Sequence, residues 1–357
     1  MTTPLEEREL IDERPDERLD RARLALYLHG RLPGAEDELS IRQFAGGKAN
    51  LTYLLAFGPR EFVLRRPPLG PLAPGAHDMR REHRVLSVLH RAYPPAPQSF
   101  LLCEDESVVG APFHILERRR GIVVWEDMPA EFSGRPELNR RIGFALVDAL
   151  ADLHRVDPAA VGLETLGRPA GYVERQLAGW TRRWQAAEPD AEAVAVLRPV
   201  LDRLAARLPR APAASLVHND YRLDNVLLDA ADPARVVAVL DWDMCTLGDP
   251  LADLGYLLNY WVEPGESLEW REVASMPTWR AGFPTRAEAI ARYAARTGFE
   301  LGEVRWHEIF AAFKLAVIIQ QIYIRWRRGQ TQDDRFRDYG GRVAALARKA
   351  AVLAGLG

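Results

Sequence analysis

The hydrophobic positions of this 357-residue chain change their period part-way along. From Ser40 to Arg65 they come in short alternating runs, Ser40–Phe44, Leu51–Phe57 and Glu61–Arg65, separated by Gly46-Gly47 and by Gly58-Pro59-Arg60. Alternation at period two between turn residues predicts three antiparallel strands. A helix over 19–28, closed by Gly30 and Pro33, precedes them, and another over 79–90 follows the proline-rich stretch 67–74. Residues 107–117 read as two further strands, Phe113–Glu117 being the last.

Past a hinge at 117–121 the period becomes helical. Ile142, Ala145, Leu146, Ala149, Leu150 and Leu153 share one face of a helix over 139–156. More helices are predicted over 172–187, 194–208, 286–297, 304–327 and 341–356. Asp249-Pro250 reads as an N-cap followed by proline at the first helical position, opening a helix to about Trp261. The pattern is α+β, with a small antiparallel sheet lobe over 1–117 and a mainly helical lobe over 118–357.

Composition narrows the partners. A net charge of −3 leaves no basic footprint, so no nucleic acid is expected. Cys103 and Cys245 stand far apart, which implies neither a disulfide framework nor a zinc site and fits the cytoplasm. The first residues lack the apolar core of a signal peptide. The most apolar late stretch, 315–324, is broken by Gln320 and Gln321 and is too short to span a bilayer, so no membrane is expected.

Chemistry concentrates between Leu216 and Asp243. Leu216-Val217, Val226-Leu227-Leu228 and 236–240 are short apolar runs that read as buried strands, placing His218-Asn219-Asp220, Asn225 and Asp241-Trp242-Asp243 where strands meet loops. An acid followed five residues later by an asparagine can aim a carboxylate at a substrate hydroxyl and an amide oxygen at a metal. An acid beyond the next hairpin strand can close the same metal site. Protein kinases use this spacing as H-R-D-x-x-x-x-N followed by D-F-G. On that reading Asp220 is the catalytic base, while Asn225 and Asp241 hold Mg2+ on the nucleotide phosphates. Asp243 is a second acid beside the metal and His218 fixes the loop; the alternatives are a cap on loop amides for Asp220, a turn cap for Asn225, a strand-end acid for Asp241 and a solvated partner of an arginine for Asp243.

With Thr246-Leu247-Gly248-Asp249-Pro250-Leu251-Ala252-Asp253-Leu254 following, the chain resembles the aminoglycoside phosphotransferase family from about Ile41 onward. It is most similar to the branch whose kinase domain is also found fused to acyl-CoA dehydrogenases. The resemblance implies a bilobal protein-kinase-like fold and transfer of the γ-phosphoryl of ATP, or GTP, to a small-molecule hydroxyl.

It also implies further nucleotide contacts. Gly46, Gly47 and Asn50 would form the phosphate-covering turn, with a plain hairpin as the alternative. Arg65 stands where kinases place a lysine, with Glu82 as its partner and Arg66 as a competing assignment. The hinge backbone of Glu117 and Arg119 would meet the purine. Kinship points to a hydroxyacyl acceptor. The charge from Glu263 onward, fifteen Lys plus Arg against eleven Asp plus Glu, disfavours a polycationic aminoglycoside. The rival readings are a degenerate nucleotide-binding protein and a metal-dependent phosphohydrolase.

Overall fold

The computed structural model describes residues 9–45, 50–68, 78–274, 276–331 and 333–357. In chain order its elements begin with β1 (Leu10–Ile11), α1 (Arg21–Leu28), β2 (Leu39–Phe44), β3 (Leu51–Phe57), β4 (Arg60–Arg66), α2 (Met79–Leu89), β5 (Ser99–Cys103), β6 (Phe113–Glu117) and β7 (Ile122–Val123). There follow α3 (Pro136–His154), α4 (Tyr172–Ala186), α5 (Ala191–Ala206), β8 (Ser215–Val217), β9 (Val226–Leu228), β10 (Val236–Val239) and β11 (Thr246–Gly248). The chain ends in α6 (Leu251–Tyr260), α7 (Leu268–Val273), α8 (Arg286–Thr297), α9 (Val304–Arg327) and α10 (Tyr339–Leu353).

Two compact units result. One comprises Met1–Val123, Ala159–Leu163 and Asn225–Cys245; the other comprises Val124–Pro158, Glu164–Asp224 and Thr246–Gly357.

The first unit carries a six-stranded sheet in the order β1-β2-β3-β4-β6-β5, antiparallel throughout. Its strands alternate as their sequence demands. Ile41, Tyr53, Leu55, Phe62 and Leu64 point into a core shared with Leu24 and Leu28 of α1. Period two therefore turns Arg66 inward, where it is buried and donates to the Val109 and Glu17 carbonyls, and turns Arg65 to the other face. A second sheet, β10-β9-β7, belongs to the same unit. Gly121 is needed beside it, because a Cβ there would stand 2.7 Å from the Leu228 carbonyl oxygen.

The second unit is helical around α9, which packs on α4, α5, α6 and α10, while α3 packs on α8. Among the described residues, two short strands, β8 and β11, pair within it. At 24 residues α9, which contains the 315–324 stretch, is by length and composition long and apolar enough to cross a membrane. However, 67% of its apolar window is buried inside the protein, as a core helix requires.

Three expectations change. The strand before Phe113 is Ser99–Cys103, not one starting at Ser107, because Val108 and Gly110 bond back to the Asp105 and Glu106 carbonyls as a turn. Pro250 is itself the N-cap of α6, and Asp249 sits one residue earlier, accepting from the Leu251 amide at 3.0 Å. α7 lies in a stretch for which no element was predicted; only six residues long, it buries none of them and so leaves no apolar stripe.

Candidate active site

In the first unit the site is built on β4, α2 and the tip after β10. Arg65 lies on the open face of β4. Its guanidinium binds the Glu82 carboxylate of α2 with Nη1 and the Asp241 carboxylate with Nη2, the latter at 2.9 Å. Burial disfavours the Arg65 charge, but Glu82, then Asp241 and Asp243, raise its pKa above the ordinary arginine value.

Glu82 is fully buried and meets His114 of β6 at 3.1 Å and the Trp242 amide at 3.2 Å. Burial opposes its ionisation; Arg65 and then His114 overcome that and hold its pKa at about 2.

Asp241 follows β10 with a left-handed backbone, φ 69°, a conformation that costs a non-glycine residue energy and is retained where the surroundings impose it. Trp242 supplies that constraint. It is fully buried, donates Nε1–H to the Val239 carbonyl at 2.8 Å and packs edge-on against Tyr93 at 6.0 Å. The Asn225 carbonyl accepts from the Leu240 amide at 2.8 Å, tying Asn225 to the hairpin that ends in Asp241.

In the second unit the His218–Asp220 loop is held from below by Asp253 of α6. Its carboxylate accepts from the His218 amide at 2.6 Å and from the Asn219 amide at 2.7 Å, and it meets His154 of α3 at 3.2 Å. Burial works against the Asp253 charge, yet His154, with His218, keeps the pKa below the usual carboxylate range.

Asn219 has φ 69°, a geometry that glycine favours and that asparagine tolerates better than most side chains. Its Oδ1 accepts from the Tyr172 hydroxyl and its carbonyl from the Lys314 ammonium, each at 2.8 Å. The Asp220 amide meets His218 Nδ1 at 3.3 Å, and the Asp220 carboxylate lies 3.3 Å from Arg222 Nε. Tyr256 and Tyr260 of α6 flank this charge, and both phenols are raised by burial first and by Asp220 after it, Tyr260 to about 12.

Of the residues named from sequence, Arg65, Glu82 and Asp241 come together, with Asn225 bonded to the same hairpin. Asp220 belongs to the second unit, separated from Asn225 by the four residues 221–224. Asn50 is buried at the start of β3, whereas Gly46 and Gly47 lie outside the described residues. Glu117 accepts from the Gln98 amide and pairs with Arg119 at 2.9 Å.

Sequence reasoning assigned no part in the site to His114 or Lys314. The first is one of several strand residues with nothing local to mark it. The second carried a signal: it is one of three lysines in a chain rich in arginine.

The site's donors are carboxylate and amide oxygens. Among the described residues no three His, Cys, Asp or Glu cluster as a metal cage. Mg2+ is held by one or two carboxylates with phosphate and water completing its shell, so this donor set fits Mg2+ rather than zinc.

A model of the phosphotransferase enzyme family matches residues 40–307. The chain belongs to the phosphotransferase enzyme family. This phosphotransferase is 31% identical to a Ralstonia eutropha protein of aminoglycoside phosphotransferase type, with a TM-score of 0.81 over 95% of this chain and 99% of that one. It is 32% identical to mouse acyl-CoA dehydrogenase family member 10 over 91% of this chain and 30% of the relative. It is 33% identical to Pongo abelii acyl-CoA dehydrogenase family member 11 over 92% and 42%.

The chain thus spans less than half the length of these curated relatives. Choline kinase of Cryptosporidium parvum, 12% identical with a TM-score of 0.63 over 94% of this chain and 98% of that one, shares the kinase-like fold.

Proposed function

We propose that this phosphotransferase moves the γ-phosphoryl of ATP, or GTP, to a hydroxyl of a small hydroxyacyl compound. The observation that carries the reading is Arg65 held between Glu82 and Asp241, a fixed cation beside the metal acid. The chemistry Mg2+ supplies there is neutralisation of charge on the β- and γ-phosphate oxygens.

Asn225 and Asp241 are the residues to hold it. Asp220 orients the attacking hydroxyl and takes its proton. Arg65 binds phosphate oxygens, Glu82 aims Arg65, Gly46, Gly47 and Asn50 cover the phosphates, and the backbone of Glu117 and Arg119 meets the purine. Residues 1–117 form the nucleotide-binding lobe and 118–357 the catalytic and substrate-binding lobe.

The hydroxyacyl acceptor rests on kinship with proteins named acyl-CoA dehydrogenase family members. Charge supports it, since the region from Glu263 onward is mildly basic and unlike an aminoglycoside trough. The two cysteines, both buried and joined in no disulfide among the described residues, fit a reducing cytoplasm.

Asp220→Asn is expected to lower transfer by ~10²–10⁴-fold while Mg·ATP affinity stays within a few-fold. Rates and isothermal titration measure the two, with hydroxyacyl thioesters, hydroxy acids, choline, sugars and aminoglycosides as acceptors and ATP against GTP as donors. An Asp220→Asn enzyme with full turnover removes Asp220 from this role.

A further inference from the structure

This chain avoids lysine: three stand among its 47 Lys plus Arg. Two fall among the described residues, and both are buried, Lys314 at 7% and Lys349 at 4% exposure. Each gives its ammonium to one backbone carbonyl, Lys314 to Asn219 at 2.8 Å and Lys349 to Asn259 at 2.6 Å.

Arginine is used where acceptors are spread apart, as at buried Arg66, which serves the Val109 carbonyl, the Glu17 carbonyl and the Tyr53 hydroxyl. A guanidinium presents its donors on a wide planar fork, whereas an ammonium is a compact point charge that can end against a single enclosed oxygen. The two buried lysines each end on one enclosed carbonyl, the task that a compact ammonium suits.

Lys314 meets the catalytic loop. Its ammonium stands 4.4 Å from the centroid of Tyr256 and 5.6 Å from that of Trp180, so aromatic faces enclose it and restrict its swing. The charges that act on it come from three directions: Asp220 on the loop, Asp253 on α6 and Arg183 on α4. Burial lowers its pKa, and Asp220 and Asp253 act in the opposite sense.

The carbonyl it grips belongs to the peptide unit whose N–H is that of Asp220, and the two are coplanar. Asn219 is already bonded through its amide to Asp253 and through its side chain to Tyr172, at φ 69°. The next peptide plane is met at both of its polar ends, its N–H by His218 Nδ1 at 3.3 Å and its carbonyl by the charged Lys314 ammonium at 2.8 Å, the shorter of the two.

We infer that Lys314 is a positioning residue whose ammonium locks the peptide between Asn219 and Asp220, and so fixes the direction of the Asp220 carboxylate. The inference rests on the reading of Asp220 as the group that meets the acceptor hydroxyl.

The test uses the full chain with Lys314→Met, which keeps length and loses charge, and Lys314→Gln, which keeps a neutral donor in case the first does not fold. Hydrogen–deuterium exchange is followed by amide-resolved fragmentation, and Mg·ATP affinity and phosphoryl transfer are measured on the same samples. The expected result is faster exchange at His218, Asn219 and Asp220 by about ten- to a hundredfold, the scale of one lost charge-assisted hydrogen bond. Amides of α6 and α9 stay as in the wild type, kcat falls by a similar factor, and the KM for Mg·ATP is unchanged.

Unchanged loop exchange overturns the lock. Exchange that rises equally through α6 and α9 overturns it too, by making Lys314 a packing residue. A loosened loop with unchanged kcat overturns the catalytic consequence. Failure of the functional reading shows separately, as an Asp220→Asn enzyme that still transfers phosphate.

Discussion

Glu82 has the residue-scale consequence easiest to measure. Its folded pKa of about 2 lies below the 4.5 of an ordinary glutamate, so the unfolded chain binds its proton first as pH falls. The stability it contributes is complete above about pH 4.5 and is lost between there and pH 2. Arg65→Met removes the cation that sustains this shift. The variant is expected to be less stable at neutral pH, because a buried carboxylate loses its partner, and to show a flatter melting-temperature profile from pH 4.5 to 2.

The same residues mark how far the sequence could be read. Arg65, Glu82 and Asp241 were named in advance because the resemblance to kinases points to those positions, and the structure pairs both acids with Arg65. Parity also decides between Arg65 and Arg66, since Leu64 and Arg66 share the core face. His114 was not legible, as its meaning depends on Glu82, 32 residues away. Lys314 acts on a carbonyl 95 positions off, and no local pattern encodes that distance.

Among elements, the contact of α6 with α9 is a close one that constrains the second unit. Gly255 lets the helices meet: a Cβ there would stand 2.6 Å from the backbone carbon of His307. Asp249, just before α6, brings its carboxylate within 3.1 Å of His307 Nε2. Gly255→Ala must push backbone against backbone, and such overpacking costs about 1–3 kcal/mol, read as a lower urea midpoint at unchanged slope. Helix α8 shows why some elements were plain in advance. Thr285 and Glu288 form a reciprocal capping box and Gly298 closes the other end with φ 73°, so its start and stop are both written locally. The turn at 107–111 and strand β5 were confused because both are short and apolar, and only pairing with β6 distinguishes them.

For the whole molecule, interleaved segments matter more than any single boundary. The stretch Asn225–Cys245 joins the first unit because β9 pairs with both β7 and β10, a long-range pairing that periodicity does not disclose. Global stability also carries an alkaline signature. Burial, then the Arg286 charge, pulls the Lys349 ammonium down to about 8 from 10.5. Below pH 8 both states hold the proton and the folded state bears a buried charge. Between pH 8 and 10.5 the folded state releases it while the unfolded state keeps it, so stability rises with pH across that window. Lys349→Met is expected to lack this rise, a difference visible in urea midpoints taken from pH 7.5 to 10.5.

The scarcity of lysine has a practical side as well. Reagents that acylate primary amines meet Lys314 and Lys349 shielded in the native fold, and reach them only once the helices that cover them part. Counting acylated lysines by mass spectrometry therefore turns these two side chains into built-in reporters of opening in the second unit, with no label to introduce.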